Sequence, residues 1–313
     1  MDKSDVLAAA ERIAGHIVRT PLIKASLAGH RVWLKCECLQ TGGAFKLRGA
    51  SNRLLQLDAA ERERGVVAFS SGNHAQGVAI AAKRLGIRAT IVMPSDAPQI
   101  KVDGTRANSA DVVFYDRRTE DRVAISTALA AKTGATIVPA FDDRHVIAGQ
   151  GTVGLEILDQ LAEAGVGEPP LIAMPVGGGG LAAGITLACP DARVIGAEPE
   201  GWDDMARSLA NGSIESVDAD APPTLCDALQ TMRGSPITLA ILRDRRVDIF
   251  TVTDDQVAAA VRWAWTEHQL MVEPGGAAAL ALFVAGKSAV EDDMVIVLSG
   301  GNIEPALHAR LVS

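Results

Sequence analysis

Short apolar runs of strand length recur along the chain, separated by segments in which apolar residues return every three or four positions. The strand-like runs fall at 32–34, 66–69, 89–92, 112–115, 136–138, 171–176, 194–197, 249–252 and 295–298. Helical periodicity predicts helices over 75–85, 120–132, 153–164 and 255–268. Gly86 and Gly134 stand just past two of these as stops, and Asp254 or Asp255 is the expected N-cap of the last. Uninterrupted apolar runs suit strands buried on both faces, so the alternation predicts an α/β protein with parallel-rich, twisted sheets flanked by helices. Residues 66 to about 138 hold strand–helix units compact enough for a small lobe, and a chain of 313 residues leaves a larger one beside it.

Charge narrows the function. The formal net charge of −8 is spread along the chain with no acidic tail and no basic block, which disfavours a nucleic-acid or anionic-membrane surface and suits the handling of small molecules. Met1-Asp2-Lys3-Ser4-Asp5 has no apolar segment behind a basic one, so no targeting peptide is indicated and a cytoplasmic address is expected. The uncharged run 171–190 is broken by Pro175 and four consecutive glycines and reads as strand, loop and helix rather than a membrane span. Cys36, Cys38, Cys189 and Cys226 lack the paired spacing of a zinc site. Cys36 and Cys38 alternate within a strand-like run, so both are expected on one face as buried free thiols.

A two-lobed α/β protein places its site at the carboxyl ends of strands, and four loops lie there. In "VGGGG", Gly177, Gly178, Gly179 and Gly180 precede a helix opening near Leu181. Backbone N–H groups can converge there without side chains in the way, as a phosphate cradle, or the run is a tight turn. "FSSGNHAQG" sets Ser70, Ser71, Asn73 and His74 at a helix start, where they receive a carboxylate or merely cap the helix. "LSGGN" ends the last strand with Ser299, a neutral partner for a ligand heteroatom or part of a turn. "GAFKLRGA" sets Lys46 among small and apolar residues, where lost hydration lowers the amine pKa and frees a nucleophile for a carbonyl, unless the side chain reaches solvent. An amine for an aldehyde, a nest for a phosphate, donors for a carboxylate and a polar group for a ring atom together describe pyridoxal phosphate carrying an amino acid.

The ordered set "GAFKLRGA", "SSGNHAQG", "IAGQGT", "PVGGGG", "AEPEGWDD", "VEPGGAAAL" and "LSGGN" resembles fold-type II pyridoxal-phosphate enzymes of the threonine/serine dehydratase and serine racemase group, over nearly the whole chain. The resemblance implies a two-lobed, tryptophan synthase β-like fold. Its large cofactor-binding domain would comprise 1–50 and 143–313, its small mobile domain 51–142, and it would act as a homodimer. It implies that Lys46 forms the internal aldimine, that Gly177, Gly178, Gly179 and Gly180 hold the phosphate, that Asn73 bonds the 3′ oxygen and that Ser299 meets the pyridine nitrogen. Phe45 would pack beside the ring, and Ser70, Ser71, Asn73 and His74 would form the substrate-carboxylate pocket. Glu198 and Asp204, with the Trp202 carbonyl between, match the ligands of a divalent cation, Mg²⁺ or Ca²⁺.

The implied reaction is conversion of L-threonine or L-serine to a 2-oxo acid and ammonia, with Lys46 taking the α-proton. Ser71 stands where serine racemase has its second acid/base, which keeps racemisation open. "PAFDD" resembles the threonine dehydratase segment, with Phe141 where the racemase has asparagine, and tilts the reading toward dehydration. Hydroxyaspartate dehydratases also carry a serine at that point but need a further cation for the distal carboxylate, and the sequence does not place one. In "CDALQT", Ala228 replaces a glycine usual in the racemases, which crowds the substrate side. The chain ends soon after "LSGGN", so no feedback site for isoleucine of the kind carried by a C-terminal regulatory domain is expected.

Overall fold

The computed structural model describes residues 1–218 and 220–313. Its strands are β1 (Leu22–Leu27), β2 (His30–Lys35), β3 (Val66–Phe69), β4 (Ala89–Pro94), β5 (Asp111–Tyr115), β6 (Thr136–Ile137), β7 (Leu171–Pro175), β8 (Arg193–Pro199), β9 (Asp248–Val252) and β10 (Val295–Val297). The helices begin with α1 (Lys3–Ile13), α2 (Lys46–Leu55), α3 (Ala59–Arg64), α4 (Asn73–Leu85), α5 (Gln99–Ala107), α6 (Arg122–Thr133) and α7 (Arg144–Glu163). They continue with α8 (Gly180–Ala188), α9 (Asp204–Asn211), α10 (Pro236–Asp244), α11 (Asp254–His268), α12 (Pro274–Val284) and α13 (Pro305–Val312). One sheet has the order β1-β2-β10-β7-β8-β9, the other β5-β4-β3-β6. Every pairing is parallel except the β1–β2 hairpin.

Residue alternation across the larger sheet explains its two cores. Leu171 and Ala173 of β7 face α11 and α12, while Ile172 and Met174 face α7, α8 and α10. The smaller sheet buries Val66, Ala68 and Ile91 under α2, α4 and α5, and Val67 and Val92 toward α6. β1 has no sequence-predicted counterpart, because its buried Ala25 and Leu27 alternate with exposed Lys24 and Ser26 and so form no continuous apolar run, and its turn, Ala28 and Gly29 at φ of 50° and 86°, lacks the usual Asn-Gly signal. The cap of α11 is Thr253, in a reciprocal box with Gln256, rather than either aspartate. Asp254 is turned away to accept from Thr224 and Leu225. β2 stops at Lys35, so Cys38 lies in a 3-10 turn and not on a strand; Cys36 and Cys38 nevertheless join one core, and all four cysteines are free and buried. Among the described residues, no helix is long and apolar enough to cross a membrane.

α2, which opens on Lys46, is anchored by charge as well as by packing. Arg48 is fully buried and makes a fork onto Glu37 at 2.7 and 2.8 Å and a second onto Glu156 at 2.7 and 2.8 Å. Lys35 completes the cluster at 2.6 Å from Glu156. Burial alone would raise the Glu37 pKa, but Arg48 and Lys35 outweigh it and hold the carboxyl below its ordinary range. Removing one member leaves its partners charged and dry, so Arg48→Met is expected to cost about 3–5 kcal/mol of folding free energy, read from the urea midpoint. A loss under about 1 kcal/mol would show that the cluster does not anchor α2.

Candidate active site

The loops at the carboxyl ends of β3, β7 and β10 meet in a cleft between the two sheets, lined by Phe45, Lys46, Ser71, Asn73, Gly178 and Ser299 among others, with about 920 Å³ of empty space open to solvent. Lys46 reaches it because Gly77, inside α4, lets the start of α2 come close: a Cβ at Gly77 would sit 3.0 Å from the Lys46 carbonyl carbon. Its Nζ donates to the Ala140 carbonyl at 3.1 Å and stands 5.1 Å from the centre of the Phe45 ring. With no carboxylate beside it, burial lowers its pKa to about 8. About a tenth of the amine is therefore unprotonated at pH 7.

Opposite lies the glycine bend. A Cβ at Gly177 would come 2.9 Å from Thr231 Oγ1, one at Gly178 would strike the Phe141 ring, and Gly179 has φ +83°. Gly180 then opens α8, whose N-cap supplies no side-chain acceptor. Free N–H groups in a bend too tight for side chains, at a helix N-terminus, form an anion cradle. The start of α4 is a second such terminus, uncapped at Gly72. Ser70 Oγ is engaged by the Gly72 N–H at 3.1 Å. His74 is 2% exposed, and its Nε2 donates to the Val138 carbonyl at 2.9 Å, which leaves Nδ1 unprotonated and without a partner. Burial, with Lys46 nearby, depresses its pKa to about 3, so its ring offers no N–H and no positive charge to a carboxylate; what it offers is its backbone in the first turn of α4. Ser299 is 6% exposed at the rim of the cleft, and its carbonyl accepts from Phe45 N at 3.2 Å.

All the residues singled out for cofactor and substrate thus converge, and the cleft adds one that sequence reasoning did not single out. Arg122, the first residue of α6, lines it with its guanidinium 5.5 Å from the Phe69 ring centre. Its signal was weak, since it is one arginine among several in "DRRTEDR". The cation-site residues lie elsewhere. Glu198 is buried and accepts from the N–H groups of Met205 and Ala206; Asp204 is buried with neither carboxylate oxygen in a well-formed hydrogen bond. Burial raises both pKa values, that of Asp204 to about 7. Trp202 is fixed by its indole N–H on the Pro222 carbonyl at 2.8 Å. Among the described residues no cluster of three or more His, Cys, Asp or Glu side chains exists, so this pair would need backbone or water oxygens to complete a shell.

Fold and cleft together set a buried lysine opposite a glycine bend at a helix N-terminus, at the carboxyl ends of the strands of an α/β protein. The chain belongs to the pyridoxal-phosphate dependent enzyme family, whose family model matches residues 13–300. It is 42% identical to an L-threo-3-hydroxyaspartate ammonia-lyase from Pseudomonas sp, covering 98% of this chain and 97% of that one. It is 38% identical to a serine racemase from Schizosaccharomyces pombe, covering 99% and 96%. Among solved structures, a threonine deaminase from T.th. superposes with a TM-score of 0.90 at 42% identity, covering 97% and 99%. The family and the fold expected from the ordered motifs are borne out, as is pyridoxal phosphate as the family's cofactor.

Proposed function

We propose that the chain is a pyridoxal-phosphate-dependent ammonia-lyase for 3-hydroxy amino acids, with L-threo-3-hydroxyaspartate preferred to L-threonine and L-serine. Arg122 carries the reading: the distal carboxylate of hydroxyaspartate calls for a cation in the substrate cleft, and Arg122 is there. A relative of that activity and a threonine deaminase stand at the same 42% identity, so overall similarity does not rank the substrates and the cleft must. Threonine and serine dehydration is the second reading, favoured by Phe141 against the glycine bend.

The glycine bend and the α8 N-terminus would hold the phosphate, Asn73 would meet the ring oxygen, Ser299 the ring nitrogen, and Lys46 would hold the cofactor through its aldehyde. When bound, the cofactor supplies an electron sink for the charge left at the substrate α-carbon. The start of α4, with Ser71 and the Asn73 and His74 backbone, binds the α-carboxylate. Lys46 Nζ takes the α-proton, which its lowered pKa permits near neutrality. Ser71 is the second proton carrier. Arg122 draws the distal carboxylate away from Lys46 and fixes which β-substituent meets it. The β-hydroxyl takes up a proton and leaves as water, and addition of one water to the imine that results releases ammonia and the 2-oxo acid, so that no net water is lost. We assign 1–50 with 143–313 to a large cofactor-binding domain and 51–142 to a small domain that closes over substrate.

Keto-acid formation from equal concentrations of the three substrates, with chiral analysis of residual serine, tests this. kcat/KM for hydroxyaspartate is expected to exceed the others by at least about tenfold; a preference for threonine would refute it. Glu198 and Asp204 are assigned to a structural divalent cation, Mg²⁺ or Ca²⁺, since two buried carboxylates raised by burial are what a bound cation would reverse. Chelation is then expected to lower Tm by at least about 3 °C, with either ion restoring it and no such shift in Asp204→Asn. An unchanged Tm in the parent protein would count against the site.

A further inference from the structure

Behind Asn73 lies a chain of polar contacts that none of the assigned roles explains. Lys101 of α5 is 1% exposed, yet its ammonium lies 2.6 Å from Asp227 Oδ2 and 3.0 Å from Glu273 Oε2. Glu273, the N-cap of α12, is equally buried, and its other oxygen accepts from Asn73 Nδ2. Asn73 Oδ1 in turn accepts from Asn302 Nδ2 at 2.9 Å, and the same nitrogen donates to the Gly42 carbonyl at 2.8 Å.

The donor and acceptor roles leave one solution. A backbone carbonyl only accepts, so Asn302 must turn its nitrogen toward Gly42 and Asn73. Asn73 must then offer its oxygen to Asn302 and its nitrogen to Glu273. An ionised carboxylate only accepts, so Glu273 draws the Asn73 nitrogen while Asn302 engages its oxygen, and the amide is held in place by the two contacts together. Of the two Asn73 N–H bonds, one is used on Glu273 and the other is left for the cleft. Reversal of the amide would present a carbonyl where a ring oxygen is to be bound, replacing attraction by repulsion.

We infer that Lys101 and Glu273 are positioning residues: Lys101 keeps Glu273 a carboxylate, and Glu273 with Asn302 locks Asn73 so that an N–H faces the cofactor's ring oxygen. Burial opposes charge on both partners. On Lys101 the two carboxylates outweigh it and raise the pKa; on Glu273 burial prevails against Lys101 and the pKa rises, so loss of the ammonium 3.0 Å away would push Glu273 further toward the neutral acid. The lock also joins the halves of the cleft, since Asn73 and Lys101 flank the smaller sheet while Asp227 and Glu273 belong to the larger one's side. A Cβ at Gly72 would meet Lys101 Nζ at 3.2 Å, which puts the ammonium under the turn that carries Ser71.

The inference rests on the proposed seating of the cofactor but not on the choice of substrate, so the test uses holoprotein without substrate. Lys101→Met is expected to weaken pyridoxal phosphate at least about tenfold and to move its visible absorption band, because that band reports hydrogen bonding at the ring oxygen. Lys101→Arg, which restores the charge, is expected to return affinity to within about threefold and to restore the band. Should Lys101→Met not fold, Glu273→Gln is read instead; its amide can donate as well as accept, so Asn73 is unlocked and the band is expected to move. Affinity and band unchanged within about twofold, or no rescue by arginine, would overturn the inference. If the parent protein itself binds no pyridoxal phosphate, it is the proposed cofactor seating that fails.

Discussion

Replacing Lys46 with alanine is expected to lower turnover at least about 10⁴-fold on every substrate, because one amine serves both as attachment point and as base. The side chain is placed for both. It leaves the first turn of α2, and among the described residues its hydrogen-bond partner is the Ala140 carbonyl at 3.1 Å, a neutral acceptor that does not lock the proton in place. A carboxylate there would have raised the pKa; its absence lets burial lower it to about 8. Lys46→Arg is expected to fail as badly, since a guanidinium stays protonated and is no nucleophile. Borohydride treatment of the cofactor-loaded parent should fix the label on the peptide containing Lys46, and on no peptide in the alanine variant. Cofactor loading of apoprotein should quicken as pH rises toward about 8 and level off above it, following the unprotonated amine. Retained labelling or turnover in Lys46→Ala would remove the basis of the assignment, and an unchanged unfolding midpoint would show that the loss is chemical.

Why some of this was legible in the sequence and some was not follows from the kind of signal each residue gives. Buried parallel strands must be apolar on both faces, so runs such as 171–176 and 295–298 announce themselves, whereas β1, at a sheet edge and paired only with β2, does not. α7 extends nine residues further toward the N-terminus than the periodicity shows, because Gly149 and Gly151 replace the apolar repeats where it packs closely on α2 and α8. The Lys46, Asn73 and glycine-bend segments were readable because local chemistry needs contiguous residues. The Lys101–Glu273–Asn73–Asn302 chain was not, since its members are separated by up to 229 positions and only the fold of two sheets against each other unites them. His74 shows the converse: its place was legible, but the Val138 carbonyl, which takes its ring N–H, belongs to a different loop.

On the proposed reading Arg122 selects the substrate, so its removal should change specificity more than stability. The residue begins α6 behind the Asp121 cap, which accepts from Val123 at 2.7 Å and Ala124 at 3.4 Å, so the helix start does not depend on the arginine. Its guanidinium faces the Phe69 ring, an aromatic surface that holds the charged group without neutralising it. A substrate carboxylate entering the cleft would exchange water for this cation. Arg122→Leu leaves that carboxylate unpaired, and the expected loss of about 3–4 kcal/mol corresponds to a fall of roughly 10²–10³-fold in kcat/KM for hydroxyaspartate. L-threonine has a methyl group in place of the carboxylate, so its kcat/KM should change by less than about fivefold, or improve as the pocket becomes more apolar. Arg122→Lys should recover only part of the hydroxyaspartate activity, because an ammonium lacks the planar fork that meets both carboxylate oxygens. The comparison of two substrates in one variant separates recognition from folding: damage to α6 or to lobe closure would depress both alike, and an equal loss on hydroxyaspartate and threonine would assign Arg122 to structure and return the choice of substrate to Phe141 and Ala228.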